Sequence, residues 1–116
     1  MDRLKQRKDF LRTAKSGRHA VTPGLAMQGF RREPGLTPSI EPRLGFTTSK
    51  KVGNAVQRNR ARRRLRALAQ HGLYQHARPG FDYVLIGRTA TVSRPFDELQ
   101  KDLAQAIKAI HKNYQV

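Results

Sequence analysis

The chain has 116 residues and carries 24 Lys+Arg against 8 Asp+Glu, a formal net charge of +16. That length suits one domain, residues 1–116, and excludes a two-domain enzyme; with no Cys in the sequence, a disulfide framework, a thiolate metal site and a cysteine nucleophile are excluded too. No apolar run approaches the roughly 18 residues of a membrane span, so a cytoplasmic protein, neither secreted nor inserted, is expected. So large a surplus on so small a body repels itself, which points to a polyanionic partner: nucleic acid first, an anionic membrane second.

In chain order, Arg3 to Lys15 spaces Leu4, Phe10, Leu11 and Ala14 as a short amphipathic helix that Gly17 ends. Two short strands follow, around His19 to Val21 and from Leu25 to Phe30, broken by Pro23-Gly24. Glu33 to Pro42 holds four Pro or Gly residues and is a surface loop. Arg43 to Ser49 alternates as a strand, with Leu44, Phe46 and Thr48 on a packed face and Gly45, Thr47 and Ser49 on a small, polar one.

Asn54 and Gln57 have the spacing of a capping box, which predicts a helix from about Ala55 to Gln70 closed by Gly72. Phe81 to Arg88, preceded by Pro79-Gly80, is an apolar run of strand length and the expected central strand. Ser93 is placed to cap a last helix with Pro95 in its first turn, and Phe96, Leu99, Leu103, Ala106, Ile107 and Ile110 follow at helical spacing. The order is helix, two strands, loop, strand, helix, strand, helix.

The charge concentrates in the middle third. Residues 42 to 81 contain ten basic side chains and no acid. On the helix from Ala55, the residues Ala61, Leu65 and Leu68 fall within about 40° of one direction and make a narrow apolar stripe. Arg63, Asn59 and Arg66 lie opposite, and Arg58, Arg60, Arg62 and Arg64 occupy the flanks. Arginines at i,i+4 repel one another, a penalty that a phosphate backbone removes. The planar guanidinium forks onto phosphate oxygens where Lys supplies a point charge. Lys50 and Lys51 lead into Gly53-Asn54 at the helix N-terminus, where free N–H groups add anion affinity.

The stretch from Gly45 through Lys50-Lys51-Val52-Gly53-Asn54 to Arg58-Asn59-Arg60-Ala61-Arg62-Arg63-Arg64-Leu65-Arg66 closely resembles the signature of the bacterial ribonuclease P protein component. Arg3-Leu4, Asp9-Phe10, Gly17, Asp82-Tyr83 and the amphipathic end extend the resemblance over nearly the whole chain. It implies an α/β (α+β) two-layer sandwich of helix-strand-strand-strand-helix-strand-helix order, with a left-handed strand-helix-strand crossover that departs from the usual right-handed rule.

The resemblance also implies that Lys50, Lys51, Asn54, Arg58, Asn59, Arg60, Arg62, Arg63 and Arg66 contact a catalytic RNA subunit. A cleft between the first helix and the sheet would take the 5′ leader of precursor tRNA, with Phe10 and Arg12 on the helix side and Thr47 and Ser49 on the sheet side. Ala14 and Gln28 stand where the family often has aromatic side chains, so leader contacts here lean on charge and on Phe10.

The residues themselves offer no protein-borne catalyst. His19, His71, His76 and His111 show no metal spacing, and Asp97, Glu98 and Asp102 are explained as dipole compensation at a helix N-terminus. The expectation is therefore a subunit of an endoribonuclease whose hydrolysis, with Mg²⁺, belongs to the RNA, with no cofactor on the protein alone and no obligate protein partner. A ribosomal or other structural RNA-binding protein is the alternative. The apolar stripe is too narrow for a membrane-surface helix.

Overall fold

The computed structural model describes residues 1–114. It contains β1 (Asp2–Arg3), α1 (Arg7–Ser16), β2 (Arg18–Val21), β3 (Leu25–Arg31), β4 (Arg43–Thr48), α2 (Ala55–Leu68), β5 (Phe81–Gly87) and α3 (Phe96–His111). Five strands form one sheet in the order β1-β4-β5-β3-β2. The β1/β4 and β4/β5 pairs are parallel, and the β5/β3 and β3/β2 pairs antiparallel.

The mixed α+β architecture is the one the sequence implies, and β5 is its centre, buried along almost its whole length. Its odd-numbered residues Phe81, Tyr83 and Leu85 face α2 and α3. There they join Leu25, Met27, Leu44, Leu65, Leu68, Leu99, Leu103 and Ile110 in the main core. The even-numbered side of the sheet carries α1, so the sheet lies between α1 and the α2–α3 pair, three layers where the sequence reading expects a two-layer sandwich, because Gly45 opposite Val84 meets Phe10 of α1 and Gly29 opposite Tyr83 meets Ile110 of α3. β4, α2 and β5 form the parallel strand–helix–strand crossover.

Three boundaries differ from the sequence reading. The first helix begins at Arg7, not Arg3, because Asp2 and Arg3 pair with Arg43 and Leu44 as an added parallel strand. The Leu4 N–H then donates to the Leu44 carbonyl at 3.0 Å, and the Leu4 side chain is buried.

Helix α2 stops at Leu68 and widens into a π-helical turn over Ala69–Leu73, with the Tyr74 N–H on the Ala69 carbonyl at 3.0 Å. Gly72 therefore sits inside this turn, against Leu103, and does not close the helix. Ser93 caps nothing: a 3₁₀ turn over Thr89–Val92 precedes α3, and Pro95 occupies the N-cap position without a side-chain bond.

The loop before β4 is held from the sheet. Arg32 is buried at the end of β3 and donates to the carbonyls of Ser39 and Glu41 at 3.2 and 2.8 Å. Among the described residues no helix is long and apolar enough to cross a membrane.

Candidate nucleic-acid interface

The entry to α2 is built residue by residue. The Ser49 hydroxyl accepts from the Lys51 N–H at 3.2 Å and caps a 3₁₀ turn over Lys50–Val52. Gly53 then takes φ +132°, which L side chains rarely adopt. The Asn54 side chain accepts from the Gln57 N–H at 3.0 Å, and Gln57 accepts from the Asn54 N–H at 3.2 Å, the capping box expected from the spacing.

With Ala61, Leu65 and Leu68 buried, the basic side chains divide by what they touch. Toward β4, Arg58 donates to the Gly53 carbonyl at 2.6 Å, Arg62 to the Thr48 hydroxyl at 3.3 Å, and the Arg66 guanidinium lies 5.7 Å from the Phe46 ring centroid. On the other flank, Arg60 donates to the Val92 carbonyl at 2.9 Å. Arg64 donates to the carbonyls of Thr91 and Val92, both at 3.0 Å, and of Arg94 at 2.7 Å. Burial, and then the neighbouring Arg60 charge, lower the Arg64 pKa. Asn59 and Arg63 remain outermost, with Asn59 accepting from Arg62 at 2.6 Å.

None of these arginines, nor Lys50 or Lys51, has a carboxylate partner among the described residues. Five of the eight acids are paired with other cations: Asp9, Glu41, Asp82, Glu98 and Asp102. Asp82, fully buried in β5, accepts from Arg32 at 2.6 Å and from two nitrogens of Arg43 at 2.7 Å each. Arg43 also reaches Asp9 of α1 at 3.5 Å, and Asp9 accepts from Arg12 at 3.1 Å. Its hydrogen bonds to Asp82 hold the Arg43 guanidinium above its usual pKa despite burial.

The α1 side of the sheet has two rows. Gly45, Val84, Gln28 and His19 are register partners across four strands. Helix α1 covers this row: Phe10 lies on Gly45, where a Cβ would meet its ring at 2.5 Å, and His19 donates to the Ala14 carbonyl at 2.7 Å.

The next row, Thr47, Ile86, Ala26 and Val21, is left open. Thr47 and Val21 are exposed, Ile86 and Ala26 half-buried, and the exposed Leu11 stands on α1. Ile86, Ala26 and Val21 make the floor of this groove apolar.

Of the residues expected on it, Phe10 is half-buried and Thr47 open, Arg12 is tied to Asp9, and Ser49 turns its hydroxyl into the cap of the 3₁₀ turn. On the β4 face expected to be small and polar, Gly45 is covered by Phe10 and Leu4 while Thr47 is open.

A hollow of about 410 Å³ lies between β1, α1 and α2 beside β4, lined by Arg3, Lys5, Phe10, Phe46 and Arg66. Arg3 and Lys5 escape a sequence reading that places them on a helix. Among the described residues, no group of three His, Cys, Asp or Glu side chains is placed to hold a metal ion.

The family model described as Ribonuclease P matches residues 1–111. The chain belongs to this family. It is 50% identical over 109 residues to the Ribonuclease P protein component of Ruegeria pomeroyi, covering 93% of this chain and 85% of that one. Against the Ribonuclease P protein component of Paramagnetospirillum magneticum it is 47% identical over 110 residues, covering 95% and 83%.

The fold is that of the RNase P protein of Staphylococcus aureus, with TM-score 0.74 and 25% identity over 99% of each chain. The RNase P protein of Thermotoga maritima shares the fold as well, with TM-score 0.73 and 24% identity over 93% of this chain and 96% of that one.

Proposed function

We propose that this protein is the protein subunit of ribonuclease P, an endoribonuclease that removes the 5′ leader of precursor tRNA. It acts as one RNA-binding domain over residues 1–116 within a cytoplasmic ribonucleoprotein. Lys50, Lys51, Asn54, Arg58, Asn59, Arg60, Arg62, Arg63 and Arg66 face the catalytic RNA subunit. The groove between α1 and the open sheet row takes the single-stranded leader, with Phe10 and Thr47 along it.

The observation that carries this reading is the row of arginines on α2 with no carboxylate partner among the described residues, held in place by neutral acceptors. Gly53, Thr48 and Val92 supply oxygens that orient the guanidiniums without neutralising them. Such side chains are pre-organised cations, so ordering them on phosphate costs less than it does for free lysines.

The protein's part is to screen phosphate repulsion and hold the leader. Hydrolysis belongs to the RNA subunit with Mg²⁺. Membership of the family disfavours the ribosomal or structural RNA-binding alternative.

The test is cleavage of precursor tRNA by reconstituted RNA subunit with and without the protein, together with RNA binding across salt. Replacing Arg58, Asn59 and Arg60 together by Ala is expected to weaken binding and lower its salt slope by about two, near 0.9 per lost phosphate contact. An unchanged slope rules out α2 as the RNA face. Tight RNA binding that leaves leader removal unaffected sinks the functional reading.

A further inference from the structure

The end of the sheet where β3 finishes and β5 begins carries a second concentration of positive charge. Helix α3 ends there, β2 starts there at Arg18, and Arg78 enters from the segment before β5. Arg18, Arg31, Arg78, Lys108 and Lys112 gather there, none with a carboxylate partner among the described residues.

Two of these cations already serve the end of α3. Arg18 donates to the Ile110 carbonyl at 3.3 Å and to that of Lys112, with its guanidinium 3.9 Å from the Tyr114 ring centroid. Arg78 donates to the Tyr114 carbonyl at 3.1 Å. The carbonyls and dipole at a helix C-terminus need no more than this. Lys108 and Lys112 are nevertheless exposed beside them. Together with Arg78 they line a hollow of about 570 Å³ whose other walls are Gln105, Ala109 and His111.

We propose that this end of the molecule is a second docking surface for the phosphate backbone of the catalytic RNA subunit, separate from α2. The inference rests on the ribonuclease P reading above.

The seven residues of β5 put roughly 20 Å between this end and the Gly87 end beside Lys50–Val52, too far for one phosphate cluster to serve both. The leader groove opens on the α1 side of the sheet, whereas α3 lies on the α2 side, which selects the RNA subunit over the substrate's leader. The exposed positions of α3 here are Gln105, Lys108, Ala109 and Lys112, with no bulky apolar side chain to enter a bilayer.

The experiment measures binding of the full-length protein to a transcript of the RNA subunit, without substrate, from low to high salt. The variants are R78Q/K108Q/K112Q and K108Q/K112Q; the second removes only exposed charges and leaves the Arg78 contacts intact. At about 0.9 per phosphate contact, the slope is expected to fall by about 2–3 and about 2 respectively. These losses add to that of the α2 triple variant.

Slopes unchanged in both variants, while the α2 variant loses its own, overturn this surface and leave the parent reading standing. An α2 variant that also keeps its slope overturns the parent reading and this inference with it. Loss of binding to phosphatidylglycerol vesicles with RNA binding untouched assigns the surface to a membrane and overturns the proposal.

Discussion

Replacing Asp82 by Asn removes the carboxylate that pairs at once with buried Arg32 and half-buried Arg43. Asp82 is inaccessible to solvent, and the Arg32 and Arg43 side chains facing it are 3% and 18% exposed. Removing one partner of a buried ion pair costs about 3–5 kcal/mol, because the other charge stays buried.

The lower end applies here, since each arginine keeps something. Arg32 retains the carbonyls of Phe81, Ser39 and Glu41, and Arg43 retains Asp9. About 3 kcal/mol is a large part of the 5–15 kcal/mol that stabilises a domain. At about 4 °C per kcal/mol for this size it corresponds to a fall in Tm of about 12 °C.

Thermal and urea unfolding at fixed salt measure it, and a double-mutant cycle locates it. Once Arg32→Met is present, Asp82→Asn should cost at least about 1 kcal/mol less than it does alone, because the stranded charge is gone. A single-variant loss below about 1 kcal/mol, or strict additivity in the cycle, refutes the buried network.

Arg64→Ala should cost about 1–3 kcal/mol through its three carbonyl bonds while moving the RNA salt slope by less than half a unit; Arg63→Ala should do the reverse, with stability nearly unchanged and the slope down by about 0.9. Equal slopes for the two variants contradict the division of the α2 arginines. Gly45→Ala puts a Cβ 2.5 Å from the Phe10 ring and should destabilise by about 1–3 kcal/mol, with a further loss of affinity confined to precursor tRNA that carries a leader.

Burial, then the Arg78 and His76 charges, lower the His111 pKa to about 4. The unfolded state, titrating near 6.5, therefore binds more protons between those values. The stability is complete above about pH 6.5 and is lost as pH falls toward 4, by at most about 3 kcal/mol and by less where solvent reaches the ring. His111→Gln should flatten that part of the profile in urea unfolding at pH 7 and 4.5, and parallel profiles refute it.

What the sequence makes legible is what is local. Alternation finds β4, an apolar run finds β5, and Asn54 with Gln57 marks the start of α2 to the residue, because each signal lies within one element. The two-residue β1 is too short for any period, and its pairing depends on Arg43 and Leu44, some forty residues away. Asp82 inside an otherwise apolar run does announce a buried partner, since a charge in a core strand must be paired. Which partner it takes is decided by contacts 50 and 39 residues distant. Likewise, Arg64 is indistinguishable by composition from Arg63, and only the carbonyls 27 to 30 residues later make it a brace rather than a contact.

These distinctions change how the charge is understood. Five of the eight acids are ion-paired among the described residues, two of them, Asp82 and Asp9, in the chain from Arg32 through Asp82, Arg43 and Asp9 to Arg12 that fixes α1 against the sheet. Spending carboxylates there does two things at once. It positions the groove that Phe10 lines, and it leaves α2 with no acid to compete for its guanidiniums. A more even scatter of the same acids would lower the net field no further, yet it would pair off the arginines that the proposed function leaves free for RNA. On the proposed function, the segregation of charge, more than its total, therefore gives one face of this fold its docking surface and another its groove.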